Sequence, residues 1–216
     1  MQPTEAELAK KLSELTIGLR EPPLPPAQAS ALVAFAALVA SWNHRVDLTG
    51  AKTAKDLVEV LLADALIMRD PGLVPEGASL VDVGTGVGAP IIPFLLLRPD
   101  ARAVCFEPRR KRVAFLRTAL GQLGLVDRLV VREGRIEPDA PQAAGIAADV
   151  ACSRATFAPS DWLAIGLRLA PRVLVFAARD GLPEGPPAAA VTARKYALPS
   201  TGSPRVLAAY AVSPRG

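Results

Sequence analysis

The chain has 216 residues, of which 50% are apolar and 21% charged, with a formal charge of +4. That suits one globular α/β unit with additions. No apolar run reaches the ~18 uninterrupted residues of a membrane helix, and Glu5, Glu7 and Lys10 stand where a secretion signal needs a basic start and an apolar core, so a cytoplasmic protein with no membrane partner is expected.

Thr4 to Leu19 reads as a helix, with Thr4 as N-cap, Glu7 three residues on, and Leu8, Leu12, Leu15 and Leu19 at helical spacing. Gly18 and the run Pro22-Pro23-Leu24-Pro25-Pro26 end it in a stiff linker. A second helix covers Ala27 to Trp42, apolar nearly all round and therefore expected to be well buried. After a loop from Asn43 to Gly50, a third helix covers Ala54 to Met68. Residues 1–70 thus form an N-terminal helical extension. The period then changes. Strands are predicted at Ser79–Val83, Ala103–Glu107, Leu129–Glu133, Val150–Ser153, Arg172–Ala177, Ala190–Leu198 and Val206–Val212. Helices are predicted at Pro90–Leu97, Lys111–Gly121 and Ser160–Leu169. The alternation predicts an α/β fold: a doubly wound, mostly parallel, seven-stranded sheet over residues 71–216, with a closing hairpin that makes the last strand antiparallel.

One stretch organises this pattern: Asp82-Val83-Gly84-Thr85-Gly86-Val87-Gly88, between an apolar strand and an apolar helix. Glycines there permit a tight turn and a close approach of ligand to main chain, and amides opening the following helix can face an anion. The spacing is G-x-G-x-G rather than the dinucleotide G-x-G-x-x-G, which disfavours NAD. With Asp82 two residues before the first glycine, it resembles motif I of S-adenosylmethionine (SAM) methyltransferases. On that reading Gly84, Gly86, Gly88 and Ala89 lie against the amino-acid and ribose end of the cofactor, and the amides of Val87, Gly88 and Ala89 can donate to its carboxylate. Asp82 accepts from its ammonium or orients the loop. Glu107, ending the second strand, holds the ribose hydroxyls. Ile136 and Glu137, after the third strand, read the adenine edge. Ser153 and Arg154, ending the fourth, lie near the transferred methyl; the alternative for Arg154 is an ion pair with Asp149 or Asp82.

Other chemistry finds less support. Cys105, Cys152 and His44 have no metal-ligand spacing, so no metal is expected. Ala151-Cys152-Ser153-Arg154-Ala155 lacks the Asn/Asp-Pro-Pro-aromatic run of adenine amino-methyltransferases. Cys152 does not follow a proline, as the nucleophile of a cytosine-C5 enzyme would. Charge is concentrated in Arg109-Arg110-Lys111-Arg112, a run suited to phosphate backbones.

Taken together the pieces resemble the bacterial small-subunit rRNA (guanine-N7) methyltransferases, the glucose-inhibited division protein B family. The matching residues are Trp42-Asn43 with Asp47-Leu48-Thr49; Asp82 to Gly88 with Pro90-Ile91-Ile92-Pro93; Lys111-Arg112-Val113-Ala114-Phe115-Leu116-Arg117; Gly134-Arg135-Ile136-Glu137; and Ser153-Arg154-Ala155. The resemblance implies SAM as cofactor, with Gly84, Ala89, Ile136, Glu137 and Arg154 touching it. It implies N7 of a guanine in 16S rRNA as acceptor and 16S rRNA or the small ribosomal subunit as partner; separately, a monomer is expected. Arg109, Arg110, Lys111, Arg112 and Arg179 are the candidate RNA contacts. The chain departs from the family pattern at Asp47, Val60, Leu61 and Arg179-Asp180, where RNA would approach. A divergent methyltransferase on another substrate, or a SAM- or RNA-binding module without activity, are the competing readings.

Overall fold

The computed structural model describes residues 2–178, 181–183 and 188–212. Helix α1 (Glu5–Gly18) is capped as its sequence requires. The Thr4 hydroxyl accepts the Glu7 amide at 3.2 Å, and the Glu7 carboxylate accepts the Thr4 amide at 2.8 Å. Its leucine stripe, Leu8, Leu12 and Leu15, is buried. Helix α2 (Pro26–Trp42) opens on a proline, whose missing N–H is harmless in a first turn. Helix α3 (Ala54–Ile67) is capped by the Thr53 hydroxyl.

The expectation that α2 would be well buried holds for one face of the helix only. Leu32, Phe35, Ala36 and Val39 are buried, but Ser30 and Ala34 are exposed. The linker swings α1 beside α2 without closing over it. A groove of about 620 Å³ remains between them, lined by Leu12, Ile17, Leu24, Val33 and Ala34 among others. The alanines make this face apolar by hydropathy without giving it enough bulk to fill the gap.

The sheet follows: β1 (Ser79–Val83), α4 (Ile91–Leu97), β2 (Arg102–Glu107), α5 (Arg110–Gln122), β3 (Leu129–Glu133), β4 (Val150–Ser153), α6 (Pro159–Gly166), β5 (Arg172–Ala178), β6 (Ala188–Ala197) and β7 (Pro204–Val212). A 3-10 turn at Pro141–Ala144 was not expected from the sequence. Helix α6 ends at Gly166, three residues before its expected limit, while Leu169 and Ala170 beyond it still join the same core. The strand order is β3-β2-β1-β4-β5-β7-β6. Neighbours among β1 to β5 are parallel, and β7 runs antiparallel to both β5 and β6.

Alternate strand residues serve opposite faces, as pleating requires. Leu80, Cys105, Val150, Cys152, Leu174 and Leu207 join the core formed with α1 to α5. Val81, Phe106, Ala151, Val173, Val175 and Ala208 join a smaller core with α6. The extension therefore shares one continuous apolar core with the first face of the sheet. The terminal hairpin holds it as well. Arg194 of β6 pairs with Glu21 at 2.7 Å and Asp70 at 2.9 Å, and the Ser200 amide donates to Glu59 at 2.8 Å. Among the described residues, no helix is long and apolar enough to cross a membrane.

From β1 the chain moves outward to β2 and β3, then returns to β4 on the other side of β1. Order reverses between β1 and β4. Open α/β sheets bind ligands at such a reversal, beyond the carboxyl ends of the strands.

Candidate active site

A cleft of about 690 Å³ lies there, within the ~300–1,000 Å³ usual for small-molecule sites. Its floor is the glycine loop. Gly84, Gly86 and Gly88 take φ values of 75°, 61° and 84°, a region costly for other residues. Their space requirements differ. A Cβ on Gly84 would lie 2.4 Å from the Thr156 hydroxyl. One on Gly88 would lie 2.5 Å from Ile92 and 2.8 Å from Leu116, so this glycine lets the loop pack against α4 and α5. At Gly86 the nearest atom would be 3.7 Å away.

The loop is held by the end of β2. The amides of Gly84 and Thr85 both donate to the Phe106 carbonyl at 3.0 Å. Glu107 is 3% exposed, and its carboxylate accepts the Gly86 amide at 2.9 Å and the Arg109 amide at 2.8 Å. The Gly88 amide, expected to be available to an anion, instead closes a turn on the Thr85 carbonyl at 2.9 Å. Helix α4 starts only at Ile91.

The cleft brings together Gly84, Gly86, Ala89, Glu107, Ile136, Glu137 and Arg154, with Arg109 and Arg112. Three residues expected in the site are not among its lining. Gly88 faces the helices, as described. The Ser153 hydroxyl turns inward and donates to the Val83 carbonyl at 2.7 Å, stitching β4 to β1. Asp82 is 1% exposed and lies beneath the loop, because it points to the opposite side of β1 from Val83. The Cys152 thiol donates to Asp82 at 3.5 Å. Burial pushes the Asp82 carboxyl up to about 6, against the opposing pull of the Thr85 hydroxyl and the Cys152 thiol. Burial and the Asp82 charge raise Cys152 well above the usual thiol range, so it is no ready nucleophile.

The basic run divides. Arg110 and Lys111 are exposed at the start of α5. Arg109 lines the cleft mouth. Arg112 is half-buried, lines the cleft and donates to the Asp47 carbonyl at 3.1 Å, so it braces the loop of the extension as well as facing the cleft. Arg179, with Asp180, lies outside the described residues.

Arg154 has an ion-pair partner that sequence reading missed. It pairs with Asp64 of α3 at 2.8 Å, not with Asp149 or Asp82, and donates to the Val60 carbonyl at 2.8 Å. Asp149 instead accepts from Ser79. Also missed were Thr156 and Phe157 on the cleft wall, the latter stacked on Trp162 at 5.9 Å.

The extension supplies the opposite wall through Leu48, Thr49, Val60 and Leu61. Asn43 shapes that wall. Its carbonyl oxygen accepts the amides of Leu48 at 2.9 Å and Thr49 at 3.0 Å, and its amide donates to the Thr49 carbonyl at 2.9 Å. Trp42 anchors the segment edge-on against Phe115 of α5 at 5.6 Å. Among the described residues, no group of three or more His, Cys, Asp or Glu could hold a metal ion.

The Klebsiella pneumoniae structure of a candidate O-methyltransferase aligns with 97% of this chain and 99% of its own, at a TM-score of 0.57 and 20% identity. TrmN from Thermus thermophilus aligns over 69% of this chain and 48% of its own, at a TM-score of 0.54 and 18% identity. At these identities the likeness is one of fold. Sequence relatives are more specific. The ribosomal RNA small subunit methyltransferase G of Anaeromyxobacter sp. (strain Fw109-5) is 30% identical over 179 residues, 82% of this chain and 79% of that protein. The proteins of the same name from Methylobacillus flagellatus and Chromobacterium violaceum are 37% and 34% identical, over 56% and 63% of this chain and 57% and 62% of their own lengths. A family model described as GidB, rRNA small subunit methyltransferase G, matches residues 28–179, from the first turn of α2 to just past β5. The chain belongs to the GidB family of small-subunit rRNA methyltransferases.

Proposed function

We propose that this protein transfers a methyl group from SAM to N7 of a guanine in 16S rRNA, acting as a monomer on ribosomal subunits in the cytoplasm. The observation that carries the reading is the preformed glycine-loop cleft, cross-tied by Glu107 and walled by Ile136, Glu137 and Arg154. Gly86 leaves its side of the loop bare for close contact, Glu107 and Glu137 offer acceptors to hydroxyl and amino groups, and buried Ile136 gives an apolar face for a flat ring. These acceptors and surfaces fit SAM, which when bound supplies an electrophilic methyl on its sulfonium.

The cleft suits an acceptor that needs no deprotonation. Among the described residues its lining contains no histidine, cysteine or lysine, and Glu107 is already committed to two amides. Guanine N7 carries a free lone pair, so holding it in line with the methyl is sufficient chemistry. The arginines at the mouth, with exposed Arg110 and Lys111 beside them, supply positive charge for an RNA backbone. Arg179 belongs to the same proposed set on the sequence resemblance.

The test is direct. The protein is incubated with labelled SAM and small subunits from cells lacking the corresponding enzyme, and the labelled nucleotide is mapped. Label at N7 of one 16S guanine is expected; label in no ribosomal RNA overturns the reading. A second reading, a small uncharged acceptor, has one observation in its favour: apolar Val60 is 40% exposed on the cleft wall. It requires label in a metabolite extract instead.

A further inference from the structure

Arg154, on the cleft wall, is not held by its own strand. Its Nη1 donates at 2.8 Å both to Asp64 Oδ2 and to the Val60 carbonyl, both from α3. The other Asp64 oxygen, Oδ1, accepts the hydroxyl of Tyr196, from β6, 132 residues away in sequence. Asp64 thus sits between a cation of the cleft and a phenol of the terminal hairpin.

The hairpin is tied to the extension on either side of the phenol. Toward one end of β6, Arg194 is tied to Asp70 and Glu21. Beyond the other end, Ser200 is tied to Glu59 through its amide and its hydroxyl. Glu59, Asp64 and Asp70 therefore face the hairpin at three successive points, and Tyr196 occupies the middle one. The two outer contacts already attach the hairpin to the extension. The middle one differs from them: its acid continues to a residue of the cleft.

A carboxylate with a single partner can swing about χ2, and its arginine swings with it. A second hydrogen bond on the free oxygen removes that freedom. Burial and the charge of Asp64 raise the Tyr196 hydroxyl above the usual phenol range, so it remains a donor at any working pH. Asp64 and Arg154 are 14% and 23% exposed at their side chains, so water competes only partly for either group.

We infer that Tyr196 is a positioning residue, acting through Asp64 to hold the Arg154 guanidinium in the geometry that SAM binding requires. The inference rests on the proposed SAM site. It adds that the terminal hairpin, which contributes no residue to the cleft lining, sets the affinity of that cleft.

The test is a double-mutant cycle on the full chain, read by calorimetric SAM affinity and by thermal melting. Tyr196→Phe keeps the ring and removes the hydroxyl, and is expected to weaken SAM binding about fivefold. In an Arg154→Ala background the same change is expected to leave the residual affinity unaltered. Arg194→Ala serves as control: it loosens the hairpin away from Asp64 and is expected to lower the melting temperature with little change in SAM affinity. Equal losses from Tyr196→Phe in both backgrounds, or none in either, overturn the inference. A wild-type chain that binds no SAM overturns the functional reading and this inference with it; a wild-type chain that binds SAM only as tightly as Tyr196→Phe overturns this inference alone.

Discussion

Glu107 and Gly86, 21 residues apart, meet through a 2.9 Å hydrogen bond from the loop amide to Oε2 of the carboxylate. The other oxygen accepts the Arg109 amide. One side chain therefore fixes the glycine loop and the approach to α5 together, while lining the cleft itself. Glu107→Gln places an amide NH₂ against one of two backbone N–H donors. A buried donor left unmet costs about 1–3 kcal/mol, so stability should fall by that order and SAM affinity by at least tenfold. Chemical denaturation and calorimetry measure the two. Unchanged affinity would remove Glu107 from the site.

Gly84 is the most constrained position of the loop. Gly84→Ala places a Cβ 2.4 Å from the Thr156 hydroxyl, at a φ of 75°. Backbone strain of this kind costs about 1–3 kcal/mol. Loss of both stability and SAM binding is expected, and Gly84→Asp should abolish binding. Thr156→Ala in the Gly84→Ala chain should recover part of the stability, since the nearest clash goes with the hydroxyl. If melting shows no recovery, strain at residue 84 lies elsewhere.

Arg110 and Lys111 stand in the first turn of α5, where the helix dipole disfavours cations. The exposed Arg110→Glu and Lys111→Glu changes should leave folding intact or raise stability by about 0.3–1 kcal/mol. They should also weaken binding to the ribosomal subunit. The slope of log affinity against log salt should fall by about one for each phosphate that the variant no longer neutralises. Titrations at several salt concentrations decide it; a slope unchanged in both variants would clear this surface of RNA.

Asp82 gives a pH dependence with a definite sign. Its carboxyl is raised from 3.8 to about 6. Between these values the folded chain holds a proton that the unfolded chain has released. The contribution of Asp82 to stability is therefore full below about 3.8 and is lost as pH rises through about 6. The loss by pH 7 is of order 2–3 kcal/mol. Asp82→Asn stays neutral throughout, so its melting temperature should gain on that of the parent chain as pH rises from 4.5 to 7. A difference that stays constant across that range would mean Asp82 is not protonated in the fold.

The strands were legible because parallel strands in an α/β sheet are short apolar runs, and five of the seven pair in parallel. The cleft was legible where its residues follow strand ends in order: Gly84, Glu107, Ile136 and Arg154. What the sequence could not display was direction. Gly88 has the spacing of a ligand glycine but faces Ile92 and Leu116, and Arg112 belongs to a basic run but reaches inward to Asp47. Nor could it display partners far apart in the chain. Asp64 is a single acid within Leu61-Leu62-Ala63-Asp64-Ala65-Leu66, which is itself a signal that a cation waits in the fold. The cation, Arg154, is 90 residues away, and nothing local names it.

The place of β7 between β5 and β6 has a consequence for the order in which the chain can mature. Strand β6 leaves the ribosome before β7, yet it has no strand neighbour except β7 among the described residues. Until Pro204–Val212 emerges and inserts against β5, Arg194, Tyr196 and Ser200 cannot reach Glu21, Asp64 and Glu59 by way of the sheet. Helices α1 to α3 are thus secured through a strand that docks only after β7 has joined β5, and the wall they give to the cleft is set at that step rather than when they are made.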